Sequence, residues 1–251
     1  MESKLLSPAR GHPVRVFRRS PSGNPPLTGV WSYLTATRNG SSYNPSVLPR
    51  NLRPIRLSRR IEPFDSDQFV FELKVDGFRA LANIEAGRGQ LISRNGNTFR
   101  GFADLAAWIA EHLHVESAIL DGEIACVDDS GRPVFRDLLF RRRQCVFIAF
   151  DLLHLNGKDL RTLPLIERKA ALKKLLGRKR SRILYLDHVE GNGRWLFEQI
   201  VAMDLEGIVC KQKDSPYKVT EKPSRHWIKV KNSRYSQLEG REELFEFTQM
   251  R

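Results

Sequence analysis

In FELKVDGFRA, residues 71–80, a lysine stands between two carboxylates just ahead of a glycine turn. Phe71, Leu73 and Val75 alternate with Glu72, Lys74 and Asp76. The spacing predicts a strand with its apolar residues on one face and its charges on the other. Asp76-Gly77 then predicts a turn, since Asp bonds its own backbone locally and Gly accepts angles closed to other residues. Lys74 is thus expected near a strand end, its amine over an acidic surface. Four more stretches place charges within or at the end of apolar strands. ILDGEI carries Asp121 and Glu123, FDLLHLNG carries Phe150 and Asp151, and LEGIVCK opens on Glu206 and closes on Lys211. WIKVK alternates Ile228 and Val230 with Lys229 and Lys231, which puts both lysines on one face. Burying such charges singly is costly, so they are expected to face a shared polar cleft or one another.

The chemistry follows from the inventory: several lysines, at least two carboxylates, one or two arginines and an aromatic. Carboxylates with waters and phosphate oxygens are what Mg²⁺ prefers. Paired lysines neutralise phosphates as point charges, and an aromatic face suits a base. Together they read as a nucleoside triphosphate site without a P-loop, for G-x-x-x-x-G-K-[ST] occurs nowhere. So many cations also favour one lysine as a nucleophile. A free lysine keeps its proton up to about pH 10.4, so Lys74 would need neighbouring cations, a metal or partial burial to attack near neutrality. Amines activated this way form covalent intermediates. Each position has a plainer reading too. Glu72 and Asp76 fit a wet strand face, Asp76 above all a turn; Phe150 fits a core and Arg94 a hairpin end. His226 and Cys210 read as bystanders.

From about residue 61 the pattern of apolar and polar residues becomes dense. After a strand over 69–76, ALANIE (80–85) and QLISR (90–94) predict a hairpin with a glycine-containing loop. Asp104 is expected to cap a helix, DLAAWIAEHL, with Leu105, Trp108, Ile109 and Leu113 on one face. AILDGEIACV (118–127) predicts a strand, VFRDLLFRRR a short helix, CVFIAFDLL (145–153) a central strand and LIERKAALKKLL (165–176) an amphipathic helix. ILYLDHV (183–189), RWLFEQIVAM (194–203), GIVCK (207–211) and WIKVKN (227–232) follow as strand, helix, strand and strand. This order predicts an α+β fold with mainly antiparallel sheets, not alternating βαβ units.

The 251 residues suffice for a full core, and the formal charge of +13 is unevenly spread. Residues 1–60 hold eleven Lys or Arg against the single acid Glu2. Rich in Pro, Gly, Ser and Asn without a sustained period, they are expected to be a basic, disordered extension able to meet a polyanion. Their prolines weigh against an amphipathic organelle-targeting helix. No apolar run is long enough to span a bilayer. No secretory signal is visible, so a reducing, cytoplasmic setting is expected. Cys126, Cys145 and Cys210 lie far apart without a C-x-x-C pair, so neither a disulfide nor a zinc site is expected.

In that order and spacing, ELKVDGFR, SRNG, LDGEI, FDLLHLNG, EGIVCK and WIKVK resemble motifs I, Ia, III, IIIa, IV and V of the ATP-dependent DNA ligases. The flavour is closest to the bacterial ligase domain of non-homologous end joining, and the likeness covers residues 69–239. It implies an α+β nucleotidyltransferase domain, the ATP-grasp-like adenylation domain of ligases, with two mainly antiparallel sheets flanking an ATP cleft. Residues 61–240 would form this domain and 241–251 a short tail. Lys74 would attack the α-phosphate of ATP to form lysyl–AMP, and Glu72 would read the adenine edge. Arg79 and Arg94 would hold ribose and phosphates, and Phe150 would stack on adenine. Glu123 and Glu206 would serve the metal (Mg²⁺ or Mn²⁺) and the ribose. Lys229 and Lys231 would bind the α-phosphate and orient the leaving group, with Lys211 as a further cation. AMP would then pass to a 5′-phosphate and be displaced by a 3′-hydroxyl, sealing a nick in DNA repair.

Two departures from the family pattern stand out. A full ligase continues into an OB-fold domain with a sixth motif, whereas this sequence stops about twenty residues after WIKVK, so no OB domain is expected. The stretch SPYKVTEKPSRHW is longer than the family's and lacks its usual Gly-Arg pair. The expected partners are nicked or broken duplex DNA, with a DNA end-binding protein or a separate clamp domain. The chain is expected as a monomer in the bacterial cytoplasm, at the nucleoid. Two alternatives stay open: an RNA ligase or capping-type enzyme, and a non-catalytic DNA-end-binding remnant.

Overall fold

The computed structural model describes residues 48–49, 51–129, 131–140, 142–177 and 182–238. Residues 1–47 of the expected extension, and the expected tail 241–251, lie outside the described residues. In chain order the strands are β1 (Leu57–Arg60), β2 (Ser66–Leu73), β3 (Phe78–Glu85), β4 (Arg88–Ser93), β5 (Ser117–Cys126) and β6 (Cys145–Leu155). There follow β7 (Lys158–Asp159), β8 (Ile183–Tyr185), β9 (Val189–Gly191), β10 (Gly207–Gln212) and β11 (Ser224–Lys231). The α-helices are α1 (Ala103–His112), α2 (Phe135–Phe140), α3 (Leu165–Leu176) and α4 (Gly193–Ala202).

Among the described residues the strands form two sheets. One runs β1-β11-β10-β2-β9, antiparallel except for the parallel β1–β11 pair. The other runs β4-β3-β5-β6-β7, all antiparallel, with β8 pairing β6 in parallel. The fold is therefore the expected α+β arrangement of two mainly antiparallel sheets. The described residues include no OB-type barrel.

The period of two decides what each face does. In the first sheet Phe71, Ile208, Cys210 and Val230 pack outward against Leu196 and Ile200 of α4. In the second, Ala82, Ile84 and Leu91 pack outward against Leu105 and Ile109 of α1. Between the sheets Val70 and Trp227 meet Leu81, Ile119, Phe150 and Leu153. Each such side chain, fully buried, adds about 1.5–3 kcal/mol. The alternates of the outward residues in the first sheet are Glu72, Val209, Lys211, Lys229 and Lys231, so they too look inward. Register aligns them: Val209 stands opposite both Glu72 and Lys229, and Lys211 opposite Trp227.

Several expectations change at this level. The strand expected over 69–76 ends at Leu73, and Val75 turns to pack on Ala125 and Ile148 of the second sheet. Gly77 is needed for space and not for a positive φ. A Cβ there would lie 2.2 Å from Ile124 O and 2.9 Å from Glu123 Cγ. The sheet already includes Leu57–Arg60, inside the stretch expected as an extension, because LSRR docks in parallel on β11 while Ile55 enters the inter-sheet core. Asp104 lies inside the first turn of α1 instead of capping it, and pairs with Arg182 at 2.9 Å. The strand expected over 183–189 is two short ones in different sheets. Cys126 and Cys145 are joined as a disulfide, against expectation. They are 19 residues apart in sequence, but the β5–β6 register sets them opposite each other with Cα atoms 4.4 Å apart.

Candidate active site

Between the sheets lies a cleft. The first sheet lines it with Leu57, Glu72, Leu73, Val209 and Lys211, and the second with Arg79, Glu123 and Phe150. Lys74 and Val75, where the chain crosses between the sheets, and Leu186 complete the wall. Six of the residues singled out by sequence thus share one cavity. Arg94 does not line it; it stands exposed in the turn after β4.

Lys74 is fixed from two sides. Its backbone N–H donates to Gly207 O at 2.8 Å, and its Nζ donates to Glu206 Oε2 at 2.5 Å. Glu206 is placed by the strand that follows it. Gly207 has φ +145°, and a Cβ would meet Val230 O at 2.2 Å, so only glycine brings the backbone this close. Asn232, just past WIKVK, donates its N–H to Glu206 O at 2.9 Å. Lys231 approaches the other Glu206 oxygen at 3.6 Å. Burial, with the charges of Lys231 and Lys74, lowers the Lys229 ammonium from its ordinary range. Three lysines and a carboxylate therefore converge at Lys74, with Glu206, Lys229 and Lys231 beside the cleft and not in its wall.

Deeper in, Glu72 is 1% exposed and shared by two ammoniums. Lys169 Nζ stands 2.6 Å from Oε1 and Lys211 Nζ 2.5 Å from Oε2. Burial alone would push this carboxyl up; the two lysines outweigh it and hold it below the carboxylate range. The surplus positive charge falls on Lys211, which burial and then Lys169 push down to about 8 against the pull of Glu72. Lys211 Nζ also lies 4.1 Å from the ring centroids of both Phe150 and Trp227.

Arg79 makes the third cluster. It binds Asp121 bidentately at 2.6 and 2.7 Å, and its guanidinium sits 4.5 Å from the Phe150 ring centroid. Tyr217 donates to Asp121 at 2.6 Å and accepts from Ile55 N–H at 3.2 Å. Opposite Arg79 in the β3–β5 register stands Glu123. Burial pushes its carboxyl up to about 8; Glu206 and Asp121 add to the rise, while Arg79 and Lys74 oppose it. A carboxyl held neutral mainly by burial is one a bound cation would ionise. Among the described residues no three His, Cys, Asp or Glu cluster as a metal cage. Two carboxylates completed by water and phosphate oxygens are what Mg²⁺ accepts, so the donor set fits.

Sequence reasoning missed Lys169, Asp121 as the grip on Arg79, and Tyr217. For Lys169 a signal existed. It stands four after Leu165 and three before Leu172, on the apolar stripe of α3, where a solvated lysine does not belong. Asp151 is buried in an ion pair with Arg168, also of α3, at 2.8 Å, and lines no part of the cleft.

A family model described as "ATP dependent DNA ligase domain" matches residues 54–231. The chain is 31% identical over 209 residues to "Multifunctional non-homologous end joining protein LigD" of Pseudomonas aeruginosa, which covers 77% of this chain and 24% of that protein. It is 27% identical over 194 residues to "SPbeta prophage-derived DNA ligase-like protein LigB" of Bacillus subtilis, covering 74% of this chain and 69% of that one. The solved structure of "mycobacterial DNA ligase D complexed with ATP and MES" superposes with a TM-score of 0.62 at 28% identity, over 72% of this chain and 60% of that one. The chain thus spans about a quarter of the length of the Pseudomonas relative.

Proposed function

We propose, for a chain that belongs to the ATP-dependent DNA ligase domain family, that it joins DNA strands through AMP carried covalently on Lys74. ATP lies in the cleft with its base in the slot formed by Phe150, Val209, Leu186 and Glu72, and its phosphates toward Lys74, Lys229 and Lys231. Lys74 Nζ attacks the α-phosphorus. The N–P bond forms as the P–O bond to pyrophosphate breaks, and pyrophosphate departs with the electron pair. Glu206 Oε2, at 2.5 Å, is the nearest acceptor for the amine proton. Glu123 and Glu206 are the residues that would hold a divalent cation, which supplies charge neutralisation at the phosphates when bound. Arg79, locked by Asp121, faces the sugar side of Phe150. Catalysis of this kind is positioning plus neutralisation of a phosphoryl-type transition state. AMP then moves to a 5′-phosphate, and a 3′-hydroxyl displaces it.

The observation that carries the reading is the placement of Lys74. Its amine, in the wall of the cleft that holds the Glu72–Phe150 slot, touches Glu206. The end-joining proteins among the relatives support broken or nicked duplex DNA as the substrate. A nicked duplex with a 5′-phosphate, incubated with the protein, ATP and Mg²⁺, should be sealed, and Lys74→Ala should leave it open. Equal sealing by the variant would remove Lys74 from the chemistry. Sealing of nicked RNA but not DNA would shift the substrate class to RNA.

A further inference from the structure

Lys169 is buried at 1% exposure behind Glu72, lines no part of the cleft, and is tied down three ways. Its Nζ donates to Glu72 Oε1 at 2.6 Å and to Leu186 O at 3.0 Å, and it lies 4.7 Å from the Tyr185 ring centroid. Lys211 holds the other Glu72 oxygen from the cleft side, over the ring of Phe150. The two lysines are therefore not equivalent. Lys211 lines the slot in which a base would stack on Phe150, whereas Lys169 holds Glu72 from outside it.

We propose that Lys169 is a positioning residue that sets base specificity, by holding Glu72 as an acceptor-only carboxylate that selects an amino-purine over a 6-oxopurine. The inference rests on the reading of this cleft as a nucleoside triphosphate site. An ionised carboxylate only accepts hydrogen bonds, whereas a protonated one also donates. The adenine edge offers an N6 amine as donor, and the guanine edge offers O6 as acceptor. A site built around a buried acceptor rejects a partner that brings a second acceptor, because both groups are then left unpaired. Without its lysines Glu72 would be driven toward the neutral form by burial, and the neutral form can pair with O6. Lys169, held outside the slot, keeps Glu72 ionised without competing with a base for space. Oε1 stays on Lys169, and Oε2, on the cleft side, is the acceptor offered to the base.

The test is single-turnover transfer to Lys74 from ATP and from GTP, each labelled at the α-phosphate. It compares wild type, Lys169→Met, Lys169→Arg, Glu72→Gln and the Lys169→Met/Glu72→Gln double variant. The ATP:GTP rate ratio should fall at least tenfold in Lys169→Met and be largely restored in Lys169→Arg. Glu72→Gln should show a comparable loss, and the double variant no further loss, since both changes act through one carboxylate. A ratio in Lys169→Met equal to wild type, with only the melting temperature lowered, would reduce Lys169 to a tie between α3 and β2. Should that variant fail to fold, the double variant removes both charges together, and a wild-type ratio there would overturn the proposal equally. Wild type that takes up neither label would instead overturn the nucleotide reading beneath it.

Discussion

One carboxylate shared by two lysines leaves a net positive charge inside the protein, and Lys211 carries its cost. With Lys211 at about 8 in the fold and an ordinary value of 10.5, the unfolded chain holds this proton more tightly between those limits. Stability should therefore rise with pH from about 8 to 10.5, by at most about 1.4 kcal/mol per pH unit. Denaturant midpoints of wild type and Lys211→Met should converge or cross over that window, while curves that stay parallel would contradict the assignment. Beside the cleft, Glu206→Gln should slow adenylation by about 10²-fold while the melting temperature stays near wild type. A severe fall in melting temperature with activity per folded molecule unchanged would make Glu206 structural. The charged strand ends were legible as a cleft because alternation assigns faces before any contact is known. The roles of Asp121 and Tyr217 were not, since partners 42 and 96 residues apart leave no local trace, and the misplaced charge of Lys169 on the apolar stripe of α3 could not name Glu72, 97 residues away.

Among the elements, α3 binds the halves of the site together. Arg168 and Asp151 are both 0% exposed and joined at 2.8 Å, and Arg168 also donates to Leu163 O and Ser215 O. Removing one partner of such a pair strands the other, at about 3–5 kcal/mol. Arg168→Met should show that loss in urea unfolding, and a loss below about 1 kcal/mol would mean that Asp151 finds another partner. The long strands and α1, α3 and α4 were readable from their periods. β1 was not, because LSRR has one apolar residue and no alternation, and its place comes from pairing with β11. The reason for Gly77 was equally hidden. The sequence suggests a turn angle, but the requirement is room beneath Ile124 O.

For the molecule as a whole, the basic excess belongs to the folded part as well as to the stretch before it. Of the eleven basic residues in 1–60, Arg53, Arg56, Arg59 and Arg60 stand exposed on or beside β1. Deleting residues 1–60 would remove β1 and Leu57 from the cleft wall, so the informative truncation ends at residue 47. Binding to a nicked duplex should then lose part of its salt dependence but not all, each lost phosphate contact flattening the log–log slope by about 0.9. An unchanged slope would leave DNA binding to the described core alone. The proposed chemistry passes through AMP bound covalently to Lys74. The protein incubated with ATP labelled at the α-phosphate and Mg²⁺ should acquire an acid-labile adduct that maps to Lys74 and is absent from Lys74→Ala. An adduct of equal yield in Lys74→Ala would contradict the account.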